Sequence, residues 1–306
     1  MHPRVSDDRP DHRAAAVPPL LVPPPGYAPA PPGAACPQAC CLAPELHVLG
    51  DAPATDLDSA PNAPADPDAR ARYRWKVGHQ ASIALWQLMN GELDGALASE
   101  EGEGEAIGRT ARCYDLYSVL LLYAGSCSPQ RYADTVRADM AACHPAFSGQ
   151  WAADYRPLPG LVRRVVNGRP REHTAPLRDA VRGNQRIHAA VAARLVPEGT
   201  SLLQEAGRNP GASPTPKETA MFDAFFAVRR GPVCASGLRS QLRYRLALAR
   251  GDLLVHGLFG PNVPWAAVEP SPDLVQTFAS RAVDLLVHHI DDLTAQDAAR
   301  SAPAVL

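Results

Sequence analysis

The chain has 306 residues, with 32 prolines, 22 glycines and a formal charge of −2 from 30 Lys and Arg against 32 Asp and Glu. That balance excludes attraction to nucleic acid or an anionic membrane by net field, and no apolar run approaches the roughly 18 residues of a bilayer-spanning helix. Sixteen prolines precede Ala69, so composition divides the chain into a tail and a body.

Residues 1–69 are rich in Pro, Ala and Asp and lack a period of 3.6 or 2. Such a segment cannot bury enough apolar surface to offset its ordering entropy, so disorder is expected there. The stretch nearest to a secretory leader, Ala14 to Pro25, is broken by Pro18, Pro19 and Pro23 to Pro25, and follows Asp7, Asp8 and Asp11 where basic residues belong. A cytoplasmic location is expected. The odd count of seven cysteines, three of them (Cys36, Cys40, Cys41) in the tail and the others (Cys113, Cys127, Cys143, Cys234) scattered, points to free thiols.

The body spans 70–298, with 299–306 as a second disordered end. Its first element covers 71–98, where Trp75, His79, Ser82, Trp86, Met89 and Leu93 recur at helical spacing. A second helix is predicted over 108–124, closed by Gly125-Ser126, and a third over 129–143 with Ser128 as N-cap. Residues 155–176 read as loop, punctuated by prolines up to Pro176. Leu177, Val181, Asn184, His188, Val191 and Leu195 then form a second amphipathic stripe with a histidine in it, ended by Pro197. Further helices are predicted over 218–230, 238–254 and 271–294. No sustained alternation marks a sheet and no repeat is present, so the fold class is all-α, a helical bundle.

The sequence has no CxxC, no CxxCH, no His followed four residues later by Cys, no phosphate-binding GxxxxGK and no GxSxG. His288-His289 beside Asp291 and Asp292 is read as a solvated helix face, because i and i+1 point apart. His79 and His188 remain, each in a helical stripe. A lone histidine there is more often a satisfied core residue, but facing helices of a bundle are also where cofactors are held. An imidazole can ligate haem iron or act as an acid/base toward substrate, and spacing alone does not choose between them.

Val77-Gly78-His79-Gln80-Ala81-Ser82-Ile83-Ala84-Leu85-Trp86 resembles the HQ…ELW helix of the haem-dependent tryptophan 2,3-dioxygenase superfamily, and Ser148-Gly149 with Tyr155-Arg156 resembles its SGF…FR segment. Asn184 to Val191 resembles the proximal-histidine helix, and Glu198 to Ser201 the small-residue loop over the substrate. Within that superfamily Tyr73 to Gln80, Tyr123 to Pro129, His144 to Gly149 and Leu195 to Pro197 look like the haem-dependent L-tyrosine 3-hydroxylases of natural-product pathways. Two departures, Ala84 where the glutamate is usual and the missing Gly-rich substrate loop, favour a hydroxylase over tryptophan dioxygenation.

The resemblance implies non-covalent haem b, L-tyrosine and hydrogen peroxide as substrates, L-DOPA as product, and a homodimer as a plausible assembly. It implies His188 as proximal iron ligand, His79 as distal acid/base, and Arg156 with Tyr155 as substrate-binding residues. His173 is the rival to His188, with His256 a distant third. Trp75, Trp86, Tyr114, Tyr117 and Tyr123 are expected in the core, and His144 in a structural turn. Alternatives are a haem oxygenase or dioxygenase acting on tryptophan or a substituted tyrosine, and a helical binding protein without catalysis. The resemblance covers about 70–295, so the tail is expected to be dispensable for catalysis.

Overall fold

A computed structural model describes residues 17–27, 29, 63–99, 102–197, 199–209, 211–259 and 271–301. The fold is all-α except for two short strands, β1 (Leu20–Val22) and β2 (Val228–Arg230). The helices are α1 (Pro67–Ala98), α2 (Glu103–Ala124), α3 (Pro129–Tyr132), α4 (Ala138–Cys143), α5 (Leu158–Asn167), α6 (Arg171–Leu195), α7 (Leu202–Glu205), α8 (Pro216–Phe225), α9 (Ala235–His256), α10 (Pro272–Ser280) and α11 (Ala282–Ser301). No helix among the described residues is long and apolar enough to cross a membrane.

Helix α1 is the axis of the bundle. The Asp66 carboxylate accepts from Ala69 N at 2.7 Å and Pro67 occupies the first turn, so the helix begins before the predicted Ala71. It is buried on nearly every side, against α2, α5 and α9. Gly78 permits the close approach to α2, since a Cβ there would stand 3.0 Å from the Ala124 Cβ. Helix α6 lies on the other side of α2, and a buried Asn184 Nδ2 donates to Ser118 Oγ at 3.1 Å between them. Buried Arg74 joins α1 to α9 through both oxygens of Asp252, at 2.7 and 2.8 Å, and its remaining N–H groups reach Ser126 Oγ and the Gly257 and Leu258 carbonyls. With every donor occupied, the desolvation cost of this ion pair is largely offset.

Several expectations are corrected. The tail is not structureless throughout: Leu20 and Val22 are fully buried, and β1 pairs in parallel with β2, Leu20 opposite Val228. The run is too short for alternation to register in sequence, and it gains its burial from the body. Residues 1–16, 28 and 30–62, with the three tail cysteines, lie outside the described residues, as do 302–306; α11 extends to Ser301. The expected loop 155–176 holds α5 and the start of α6. Pro176 does not bound a helix but sits inside α6, where its missing N–H frees only the Glu172 carbonyl close to the helix start. The predicted helix 218–230 breaks after Phe225 into β2, and the predicted 271–294 helix divides at Arg281. Helix 129–143 is interrupted by a π-turn at Ala133–Arg137.

Candidate functional site

His79 sits half-buried on α1 among aromatic rings. Its Nδ1 lies 2.8 Å from the Trp75 carbonyl oxygen. A carbonyl only accepts, so Nδ1 carries the proton and Nε2 keeps its lone pair. The imidazole is stacked on Phe226 at 4.4 Å and 9° and meets Trp75 at 4.3 Å, with Tyr132 against the far side of Trp75. Burial pushes its pKa down to about 4, opposed by the bond to Trp75 and reinforced by the charge of His188. At neutral pH His79 is therefore an uncharged acceptor.

His188 is the last and smallest of these influences. His188 is not in the buried stripe of α6 as expected. The stripe consists of Leu177, Asn184, Ile187, Ala190 and Leu195, and His188 stands beside it with its side chain open to solvent. Its pKa is nevertheless lowered by desolvation.

The other histidines are placed elsewhere. His173 is exposed in the first turn of α6, about 22 Å along the axis from His188. His256 lies by Arg70, 3.4 Å from its guanidinium. His144 accepts from Ala146 N in its turn. His288 is exposed and faces Asp292, whereas its neighbour His289 is buried between the Leu285 and Arg112 carbonyls, which corrects the solvated reading for that residue.

Tyr155 is half-buried against Trp86 and Tyr117, with ring centroids 5.2 and 6.3 Å away. Arg156 is exposed and makes no hydrogen bond or ion pair with the described residues, so it does not pin its loop. The loop is held two residues earlier. The fully buried Asp154 carboxylate takes two bonds from Arg230 and one from Gln87, and its carbonyl accepts from Asn90. Sequence reasoning missed Asp154, Arg230 and Phe226; a buried carboxylate and its partner 76 residues away leave no local signal. Glu198 of the small-residue loop lies outside the described residues, and Ser201 after it caps α7.

The surface also has a cleft of about 480 Å³ lined by Gln87, Glu92, Glu103, Arg109, Cys113 and Arg239 among others. Neither His79 nor His188 lines it. Its acidic groups are engaged, Glu92 with Arg109 and Glu103 with Arg169. The histidines, both with lowered pKa, are the better candidate for chemistry.

Residues 29–176 match the family model described as SfmD 3-methyl-L-tyrosine peroxygenase. The match spans just under half of the chain and includes His79, Tyr155 and Arg156, while His188 lies beyond it. It begins inside the segment expected to be dispensable. A search of curated proteins returned no match. Over these residues the chain is thus similar to a family described as a peroxygenase.

The residues present fit a haem. Among the described residues no group of three or more His, Cys, Asp or Glu is arranged to hold a bare metal ion. A haem needs none, because the macrocycle supplies four nitrogens and the protein one imidazole. Two imidazoles with lowered pKa are available, and the indole N–H groups of Trp75 and Trp86, on the same helix as His79, are buried without a partner. Orphaned buried donors beside the candidate site are what a polar ligand would satisfy.

Proposed function

We propose that the protein hydroxylates L-tyrosine ortho to its phenol, using hydrogen peroxide and non-covalently bound haem b, in natural-product biosynthesis. The reaction balances as L-tyrosine plus peroxide giving L-DOPA plus water. The observation that carries this reading is the neutral His79, with Nε2 free and its ring stacked on Phe226, inside the segment that matches the model described as 3-methyl-L-tyrosine peroxygenase. The HQ…LW wording of α1 supports a tryptophan 2,3-dioxygenase-like ancestry for the bundle.

His188 would hold the haem iron, and the bound haem would supply activation of the peroxide O–O bond. His79 Nε2 would accept the phenol's hydrogen bond and take its proton, which orients the ring. Arg156, with no internal partner, would take the substrate carboxylate in a bidentate pair. Tyr155 and Trp86 would wall the ring.

Adding tyrosine, 3-methyltyrosine and tryptophan in turn to the haem-loaded protein while following the Soret band, then adding peroxide, tests the proposal. A shift and a catechol product with tyrosine are expected. A protein that stays colourless after haem is supplied would instead be a helical binding protein. The family description favours one second reading, a tyrosine already bearing a ring methyl, and turnover of 3-methyltyrosine alone would select it.

A further inference from the structure

The ring stacked on His79 belongs to a backbone turn that the fold holds from several directions. Phe226 is followed by Ala227 with φ of 51°, a left-handed conformation that an alanine keeps only where its surroundings impose it. The Phe226 carbonyl accepts from Gln80 Nε2 at 2.7 Å, and the Ala227 carbonyl accepts from Leu20 N at 3.0 Å. The adjacent residues of α1 thus serve one purpose: His79 presents the imidazole, and Gln80 grips the turn whose ring lies on it.

The orientation of the Gln80 amide is fixed in turn. Arg245 Nε donates to its oxygen at 2.9 Å, so a flipped amide would set NH₂ against a guanidinium. Arg245 is fully buried with no carboxylate partner among the described residues, and another of its N–H groups donates to the Pro18 carbonyl at 3.0 Å. The free edge of β1 is held by a side chain. Gln241 Oε1 accepts from Leu21 N at 2.8 Å and its Nε2 donates to Leu21 O at 2.9 Å, an imitation of a neighbouring strand. On the other edge Val22 O accepts from Gly231 N.

We infer that β1, anchored by Gln241 and Arg245, is a strap that seats Phe226 on His79 and so fixes the direction of the Nε2 lone pair; its value for turnover rests on the proposed role of His79. Phe226, Gln80 and Gln241 are positioning residues in this account. The proline-rich N-terminal segment then contributes to the site from which it was expected to be separate. The Trp75 carbonyl fixes which nitrogen is protonated, and the stacked ring limits how far the imidazole can turn.

Ring-nitrogen NMR of histidine-labelled full-length chain, recorded before haem is added, tests this. Gln241→Met removes both side-chain bonds to β1 and leaves His79, Gln80 and Phe226 in place; Phe226→Leu removes the stacked ring directly. Wild-type His79 is expected wholly as the Nδ1–H form. In both variants the Nε2–H form should appear in roughly a tenth of the molecules, and Phe226→Tyr, which keeps a ring, should restore the wild-type pattern. A His79 that stays wholly Nδ1–H in folded Phe226→Leu overturns the proposal, whether or not Gln241→Met folds. After haem loading, kcat of the variants should fall about tenfold with KM held. A tautomer shift in a protein that oxidises no tyrosine would leave the strap standing and sink the assigned reaction.

Discussion

Around His79 a backbone carbonyl, two aromatic rings and the side chain of the next residue hold one orientation. Around His188, on α6, the imidazole has no hydrogen bond to the described residues and opens to solvent. One histidine is built into the fold before any ligand arrives, and the other is left with its bonding capacity unused. A group that must direct a proton gains from being fixed in advance, while a group that must bind an incoming atom needs a free lone pair and room to approach.

The largest test of that contrast removes the open member. His188→Ala should abolish the Soret band of the purified, haem-supplied protein, and a band with unchanged ligation would remove His188 from the iron. His79→Ala should keep the band and lower turnover by about 10²–10⁴-fold, with unchanged kcat under peroxide excluding His79 from the chemistry.

A smaller effect is expected from loosening the loop beside the fixed member. Arg230→Met would strand the buried Asp154 carboxylate and should cost about 3 kcal/mol, read as a lowered denaturant midpoint. A variant as stable as wild type would show that Gln87 alone satisfies Asp154.

An effect of similar size, but graded with pH, is a dependence of stability on acidity. An unfolded imidazole takes up its proton near pH 6.5, whereas folded His79 does so only near 4. Protonation therefore favours the unfolded chain: the full contribution is present above pH 6.5 and is lost as pH falls toward 4. The slope from this site is at most about 1.4 kcal/mol per pH unit. Thermal melts across that window should show it, and His79→Gln should flatten it. His289, lowered by burial, acts in the same direction.

Sequence made the helical class visible because α1, α2 and α6 carry strong spacing and punctuation, and the wording around His79 pointed to it before any geometry. It did not show which side of α6 His188 occupies, since two stripes one residue apart fit the same apolar letters and only contact with α2 selects one. Nor could it show β1. Three residues between prolines carry no period, and their burial depends on Gln241 and β2, more than 200 positions away. Prolines misled at Pro176 because a helix tolerates the ring close to its start.

The bond from Asn184 to Ser118 also sets a height. Two helices joined along an apolar seam can slide by a turn, about 5.4 Å, with little change in buried area. A single amide that must meet a single hydroxyl removes that freedom, because any other alignment leaves the Asn184 amide without that partner in a dry interface, while Ser118 keeps only its bond to the Tyr114 carbonyl. His188 is one turn beyond Asn184 on the same helix. The amide thus works as an index mark, fixing how far along the bundle the candidate iron ligand stands, as a notch in a ruler fixes every graduation after it.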